Sequence, residues 1–223
     1  MNHMFNSIIE SKITKYVQTV SKRYNIPDNR LFHIWNNTPR INNLVEQLRS
    51  IRSVKTLKGN TQDSSIKQTE QVKSILEDFG FKNACIAGTK TGLLYKEQPN
   101  GGQKSPDFHL INGTHILNFE LKKSNTNIIM WNDGFPHRDT LYLISCKDFT
   151  RLCSGKSLAT DEEIEMYNKQ RELISIMNKT LKTQNKKNRI NFYTRRANSQ
   201  KIEPANINSD LLDCYPLLSK LIN

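Results

Sequence analysis

With 223 residues, 36% of them hydrophobic, and a net charge of +12 from 33 Lys/Arg against 21 Asp/Glu, the chain can build one good-sized domain with a small appendage, and the charge fits a polyanionic partner and solvated lysine-rich helix faces equally. No apolar run nears the roughly 18 residues that span a bilayer, and the N-terminus lacks the charged-then-apolar design of an export signal, so a cytoplasmic or otherwise intracellular protein without membrane attachment is expected. Cys85, Cys146, Cys153 and Cys214 show no Cys-x-x-Cys spacing and no clustered His, which argues against a zinc knuckle or a disulfide framework.

Residues 6–24 place Ile9, Ile13, Tyr16, Val17, Val20 and Tyr24 on one helical stripe, and Asn25-Ile26-Pro27-Asp28 interrupts it before Leu31, Ile34 and Trp35 begin a second helix. Asn36-Asn37-Thr38-Pro39 is expected to stop that helix. Ile41, Leu44, Val45, Leu48 and Ile51 then mark a third, which ends in the polar linker Lys58 to Ser65. Residues 1–60 thus read as a helical module and 61–223 as the main domain. The step from Tyr24 to Asp28 resembles a helix-turn-helix, and the segment is similar to short N-terminal modules on proteins of large DNA viruses; a DNA reader, a dimerisation element and a packing cap all fit it.

Residues 64–79 predict the next helix, with Val72, Ile75, Leu76 and Phe79 inward and Gly80 closing it. A strand at about 83–87 follows. Gly88 to Lys104 reads as a loop with a short strand at 92–95, a candidate DNA clamp.

Two runs rich in β-formers then flank Asn112-Gly113, a strong hairpin signal. With Asn112 and Gly113 as the turn, Ile111 faces Thr114 and Asp107 faces Asn118. The period of two puts Asp107, Asn118, Glu120 and Lys122 on one face and Phe108, Leu110, Leu117, Phe119 and Leu121 on the other. One face is apolar surface for a core, while the other gathers two carboxylates and an amine at diagonal-neighbour range, about 7–8 Å between backbone positions. Paired carboxylates suit Mg²⁺, which prefers oxygen ligands and also binds phosphate. Such an ion would acidify water and stabilise charge on a phosphodiester under attack, with the ammonium of Lys122 assisting. Asp107 and Glu120 are therefore candidate ligands and Lys122 a candidate catalytic group. The other Glu-x-Lys, Glu10-Ser11-Lys12, has no upstream Asp.

Trp131-Asn132-Asp133-Gly134-Phe135-Pro136 is expected to turn the chain into the apolar strand 140–146, and residues 161–183 look helical, with Ile164, Tyr167, Leu173, Ile174, Met177 and Leu181 as an interrupted stripe. The positive charge lies in the flanks. Residues 1–60 hold 10 Lys/Arg against 3 Asp/Glu, 61–150 hold 10 against 10, and 151–223 hold 13 against 8. No acid falls between Glu172 and Glu203, a span that carries Lys186, Lys187, Arg189, Tyr193, Arg195 and Arg196, with a strand expected at 190–194. These six are the candidate DNA-binding residues, and Arg195 and Arg196 suit either guanine or phosphate.

Pro106-Asp107, a spacer, then Glu120-Leu121-Lys122 resembles the motif of the PD-(D/E)xK nuclease superfamily, over roughly residues 64–196, with type II restriction endonucleases the nearest likeness. The resemblance implies an α/β fold, a restriction-endonuclease-like mixed central sheet flanked by helices. It also implies Mg²⁺-dependent, sequence-specific hydrolysis of double-stranded DNA leaving 5′-phosphates, with Mn²⁺ able to substitute, and a homodimer. It further implies an added acid from the helix before the first core strand, a place that Glu70 or Glu77 would fill, and counterparts for Asn132-Asp133 and a late Tyr-x-Arg strand. A structure-selective repair or recombination nuclease and a non-catalytic DNA-binding protein are the alternatives.

Overall fold

The computed structural model describes residues 28–51, 61–86, 91–102, 104–132, 134–186 and 197–222. The expected first helix at 6–24 lies outside them, as do Lys187, Arg189, Tyr193, Arg195, Arg196, Asp133 and the expected strand at 190–194. The fold is α/β. Helices α1 (Asp28–Ser50) and α2 (Thr61–Phe79) precede strands β1 (Lys82–Asn83), β2 (Leu93–Glu97), β3 (Phe108–Asn112), β4 (His115–Lys123), β5 (Ile128–Asn132), β6 (Thr140–Ser145) and β7 (Thr150–Ser154). A short helix α3 (Gly155–Leu158), the long α4 (Asp161–Asn185), β8 (Ala197–Lys201) and α5 (Ile207–Ile222) complete it.

Six strands form a mixed sheet in the order β1-β2-β3-β4-β6-β7, parallel at β1/β2 and β4/β6 and antiparallel elsewhere, while β5 and β8 pair as a separate antiparallel ribbon. Alternation along the central strands divides two cores. Phe108, Leu110, Leu117, Phe119, Leu141, Leu143 and Leu152 face α1, α2 and α5. Tyr142, Ile144 and Cys153 face the other way, against Ile129 and Trp131 of β5 and Leu158 of α3. β6 is buried at all six positions, as its unbroken apolar run requires.

Several expectations are corrected here. Pro39 does not stop a helix: α1 runs through it from Asp28 to Ser50. Proline removes one backbone donor, and the turns after it are anchored because Ile41, Leu44, Val45 and Leu48 are buried in the main core. Residues 41–51 share a core with the sheet. The strand expected at 83–87 is only Lys82–Asn83, and Ala84–Ile86 is a turn, whereas the short strand in the following loop extends over Leu93–Glu97. Trp131 and Asn132 belong to β5, not to a turn, since β8 supplies them with a backbone partner.

The hairpin register also moves. Asn112 pairs His115, Ile111 pairs Ile116 and His109 pairs Asn118, so Gly113 and Thr114 form the turn. Gly113 has φ +57 and Thr114 no positive φ, the pattern of a turn that needs the left-handed conformation only at its first central residue. The shift is by an even total, so each side chain keeps its expected face.

Helix α4 begins at a complete capping box, Thr160 and Glu163 each bonding the other's backbone N–H. None of its residues is fully buried: Ile164, Tyr167, Ile174 and Leu181 of its apolar stripe are half-buried, while Met166, Leu173, Ile176 and Met177 are each more than half exposed. The four cysteines are free thiols, and only Cys85 is exposed. No helix among the described residues is long and apolar enough to cross a membrane.

Candidate active site

The ladder between β3 and β4 brings the two carboxylates together. Phe108 pairs Phe119, so one step further outward sets Asp107 against Glu120, on the face away from the helices. The sequence-based pairing with Asn118 is thereby replaced by a closer one. Asp107 lies just beyond the end of β3, where its side chain takes over from the backbone ladder. Leu121 N–H donates to its Oδ2 at 2.8 Å, and Gln98 Nε2 donates to its Oδ1 at 3.2 Å. Pro106, immediately before it, is buried.

Glu120 is 7% exposed, and Lys122, two residues on and so on the same face, donates from Nζ to its Oε1 at 2.6 Å. Lys122 also lies over the Trp131 ring, 5.6 Å from its centroid, which holds the ammonium against the ribbon. Glu120 Oε2 is buried without a hydrogen-bond partner among the described residues. Burial pushes the Asp107 carboxyl above the usual carboxylate range, and the charge of Glu120 adds to the rise. The Leu121 N–H, the Lys122 ammonium and the Gln98 amide oppose it. Two carboxylates that feel each other in a half-buried place lower their repulsion by sharing a cation.

A Mg²⁺ ion fits this donor set. Two carboxylates supply oxygens of the right hardness, one of those oxygens is buried and unpartnered, and Mg²⁺ fills its remaining positions with water and phosphate. No third His, Cys, Asp or Glu joins the pair among the described residues. Glu70 and Glu77, the two candidates for an added acid, are placed elsewhere. Glu70 is exposed and paired with Lys73 at 2.7 Å, and Glu77 accepts from the Tyr95 hydroxyl at 2.5 Å. The reason is topological: α2 packs Val72 and Leu76 on the sheet face opposite to Asp107 and Glu120.

Beside the carboxylates, on the same face, opens a cleft of about 480 Å³ lined by Pro106, His109, Asn118, His137, Arg138 and Thr140, among others. The cross-strand pairs His109 with Asn118 and Asn118 with Thr140 place these residues two positions along the ladder from Glu120, next to it on the same face. Burial, helped by Lys96, lowers the His109 pKa, so near neutral pH this imidazole is an uncharged hydrogen-bonding group. Alternation already puts His109 on the face of the carboxylates, where it reads as a flanking residue with no assigned role; His137 has no metal spacing, and the fold that brings it to the cleft is not visible as a motif. Of the six residues expected to bind DNA, Lys186 is described, exposed just past the end of α4. The other five lie outside the described residues.

Comparison with protein-family models, curated proteins and solved structures finds no match to this chain. The chemistry of the site therefore rests on its own residues.

Proposed function

We propose that this chain is a Mg²⁺-dependent, sequence-specific endonuclease of double-stranded DNA, similar in kind to a type II restriction enzyme. The observation that carries the reading is the juxtaposition of Asp107 and Glu120 across β3 and β4, with the Lys122 ammonium on Glu120. A bound Mg²⁺ supplies Lewis acidity and an acidified water at the phosphodiester. The remaining work belongs to the chain. Asp107, fixed by the Leu121 N–H and the Gln98 amide, and Glu120, fixed by Lys122, present their oxygens in one orientation before substrate arrives. Lys122 is placed to orient the attacking water or to share charge developing on the phosphoryl oxygens. The neighbouring cleft, with Arg138, His137 and His109, offers donors to adjacent phosphates. A net charge of +12, concentrated outside the catalytic centre, supplies the sequence-independent attraction to the DNA backbone. Cutting both antiparallel strands of one site fits a homodimer, whose two-fold axis would match a palindrome.

Incubating the purified chain with plasmid DNA and Mg²⁺ is expected to yield discrete fragments whose ends map to one short sequence and carry 5′-phosphates. Preference for branched DNA over linear duplex would reassign the same site to a structure-selective task. Absence of cutting with both Mg²⁺ and Mn²⁺ would remove the nuclease reading.

A further inference from the structure

We infer that Gln98 supplies the third oxygen of the cation site formed by Asp107 and Glu120; the inference rests on the nuclease reading to the extent that it needs that cation. Gln98 follows the last residue of β2, and because Glu97 pairs Phe108, the next step sets Gln98 against Asp107. Its N–H donates to the Asp107 carbonyl at 2.7 Å, and its backbone has φ +45, the left-handed region that residues bearing a β-carbon rarely adopt. The side chain so held gives Nε2 to the Asp107 carboxylate, while its Oε1 is buried without a hydrogen-bond partner among the described residues.

Two buried acceptors, Gln98 Oε1 and Glu120 Oε2, are thus unpartnered on residues that flank the same carboxylate. Buried acceptors are ordinarily satisfied. Lys122 is engaged with the other Glu120 oxygen. A single divalent cation beside Asp107 would satisfy both acceptors. An amide oxygen is a hard, neutral ligand of the kind Mg²⁺ and Ca²⁺ accept. In that role Nε2 stays on Asp107 while Oε1, the unpartnered atom, takes the ion, so one side chain both fixes a ligand and supplies one.

The test is calorimetric titration of the full chain with Mn²⁺, without DNA, with thermal melting of each variant as a check of folding. Gln98→Met, which keeps chain length but has no oxygen, is expected to weaken Mn²⁺ binding by about tenfold or more, and Gln98→Ala should agree if Met does not fold. Gln98→Glu should restore binding, because it offers an oxygen although it cannot donate to Asp107. Wild-type affinity in Gln98→Met, or Gln98→Glu binding no better than Gln98→Met, would overturn the assignment, the second result marking Gln98 as a mere donor to Asp107. Loss of binding in Glu120→Ala with no effect of Gln98→Met would leave the nuclease site standing without Gln98. Absence of binding in the wild type would overturn both.

Discussion

At Asp107 the chemistry of a cation site and the stability of the fold pull in opposite directions. Burial and the neighbouring Glu120 raise its carboxyl pKa in the folded state above that of the unfolded chain. A raised folded pKa means that protonation favours the fold: this contribution is complete below the ordinary Asp range and is lost as pH rises through the folded value. Asp107→Asn is therefore expected to stabilise the metal-free protein near neutral pH, by about 0.5–2 kcal/mol, and to remove the corresponding part of the pH dependence seen in thermal melts. The same substitution should abolish Mn²⁺ binding. Because the ligand must be ionised, wild-type metal affinity should fall as pH is lowered through the Asp107 range, a trend a pH series of titrations would show. Lys122 is a separate case. Its ammonium touches Glu120 and not Asp107, so Lys122→Met should leave Mn²⁺ binding within a few-fold of wild type while lowering the single-turnover cleavage rate by about 10²–10³.

Among the elements, α5 contributes most to placing the sheet and was the least apparent in the sequence. Its apolar residues Leu211, Cys214, Tyr215, Leu218, Leu221 and Ile222 are buried, and Asn206 caps it by accepting from Ser209 N–H at 2.9 Å. Pro216 inside the helix and Asp210 within the buried stripe hide that periodicity, because each is a residue that a helix interior or a core normally rejects. Asp210 is tolerated for a specific reason. With no exposed surface, it accepts from Arg49 of α1, from Arg151 Nε at 3.2 Å and from Leu152 N–H at 3.0 Å, joining α1, β7 and α5. Asp210→Ala takes the shared carboxylate from Arg49 and Arg151, which keep backbone carbonyl acceptors at Ala205, Asn206 and Glu203, and is expected to cost about 3–5 kcal/mol of stability, measurable by urea denaturation. β7 was hidden for a related reason: Arg151 interrupts its apolar run, and its pairing with Asp210 and its bond to the Glu203 carbonyl account for it. By contrast the hairpin, β6, α2 and α4 follow directly from alternation, an unbroken apolar run and helical spacing. The hairpin turn shifted because Gly113 alone needed the positive φ, a distinction that Asn-Gly as a dipeptide does not make.

On the scale of the whole molecule, the sheet separates stability from chemistry. One face carries Phe108, Phe119 and Leu143 into a core closed by α1, α2 and α5; the other carries Asp107, Glu120 and Lys122 toward a cleft and the β5–β8 ribbon. That division was foreseeable, since alternation assigns every hairpin residue a face. So was the place of His109 on the charged face; the company of His137 and Trp131 was not, because it depends on strand order and on a ribbon formed by segments nearly seventy residues apart. The separation also makes Glu120→Gln a clean probe, as it alters the site face without touching the helical core. The most direct measurement is digestion of one supercoiled plasmid by the wild-type chain and by Glu120→Gln, side by side in Mg²⁺. Discrete fragments from the wild type, with cutting by Glu120→Gln slower by about 10³ or more and DNA binding retained, are the predicted result. Equal cutting by both proteins, or none by the wild type with either Mg²⁺ or Mn²⁺, would contradict the assignment of this face as a nuclease site.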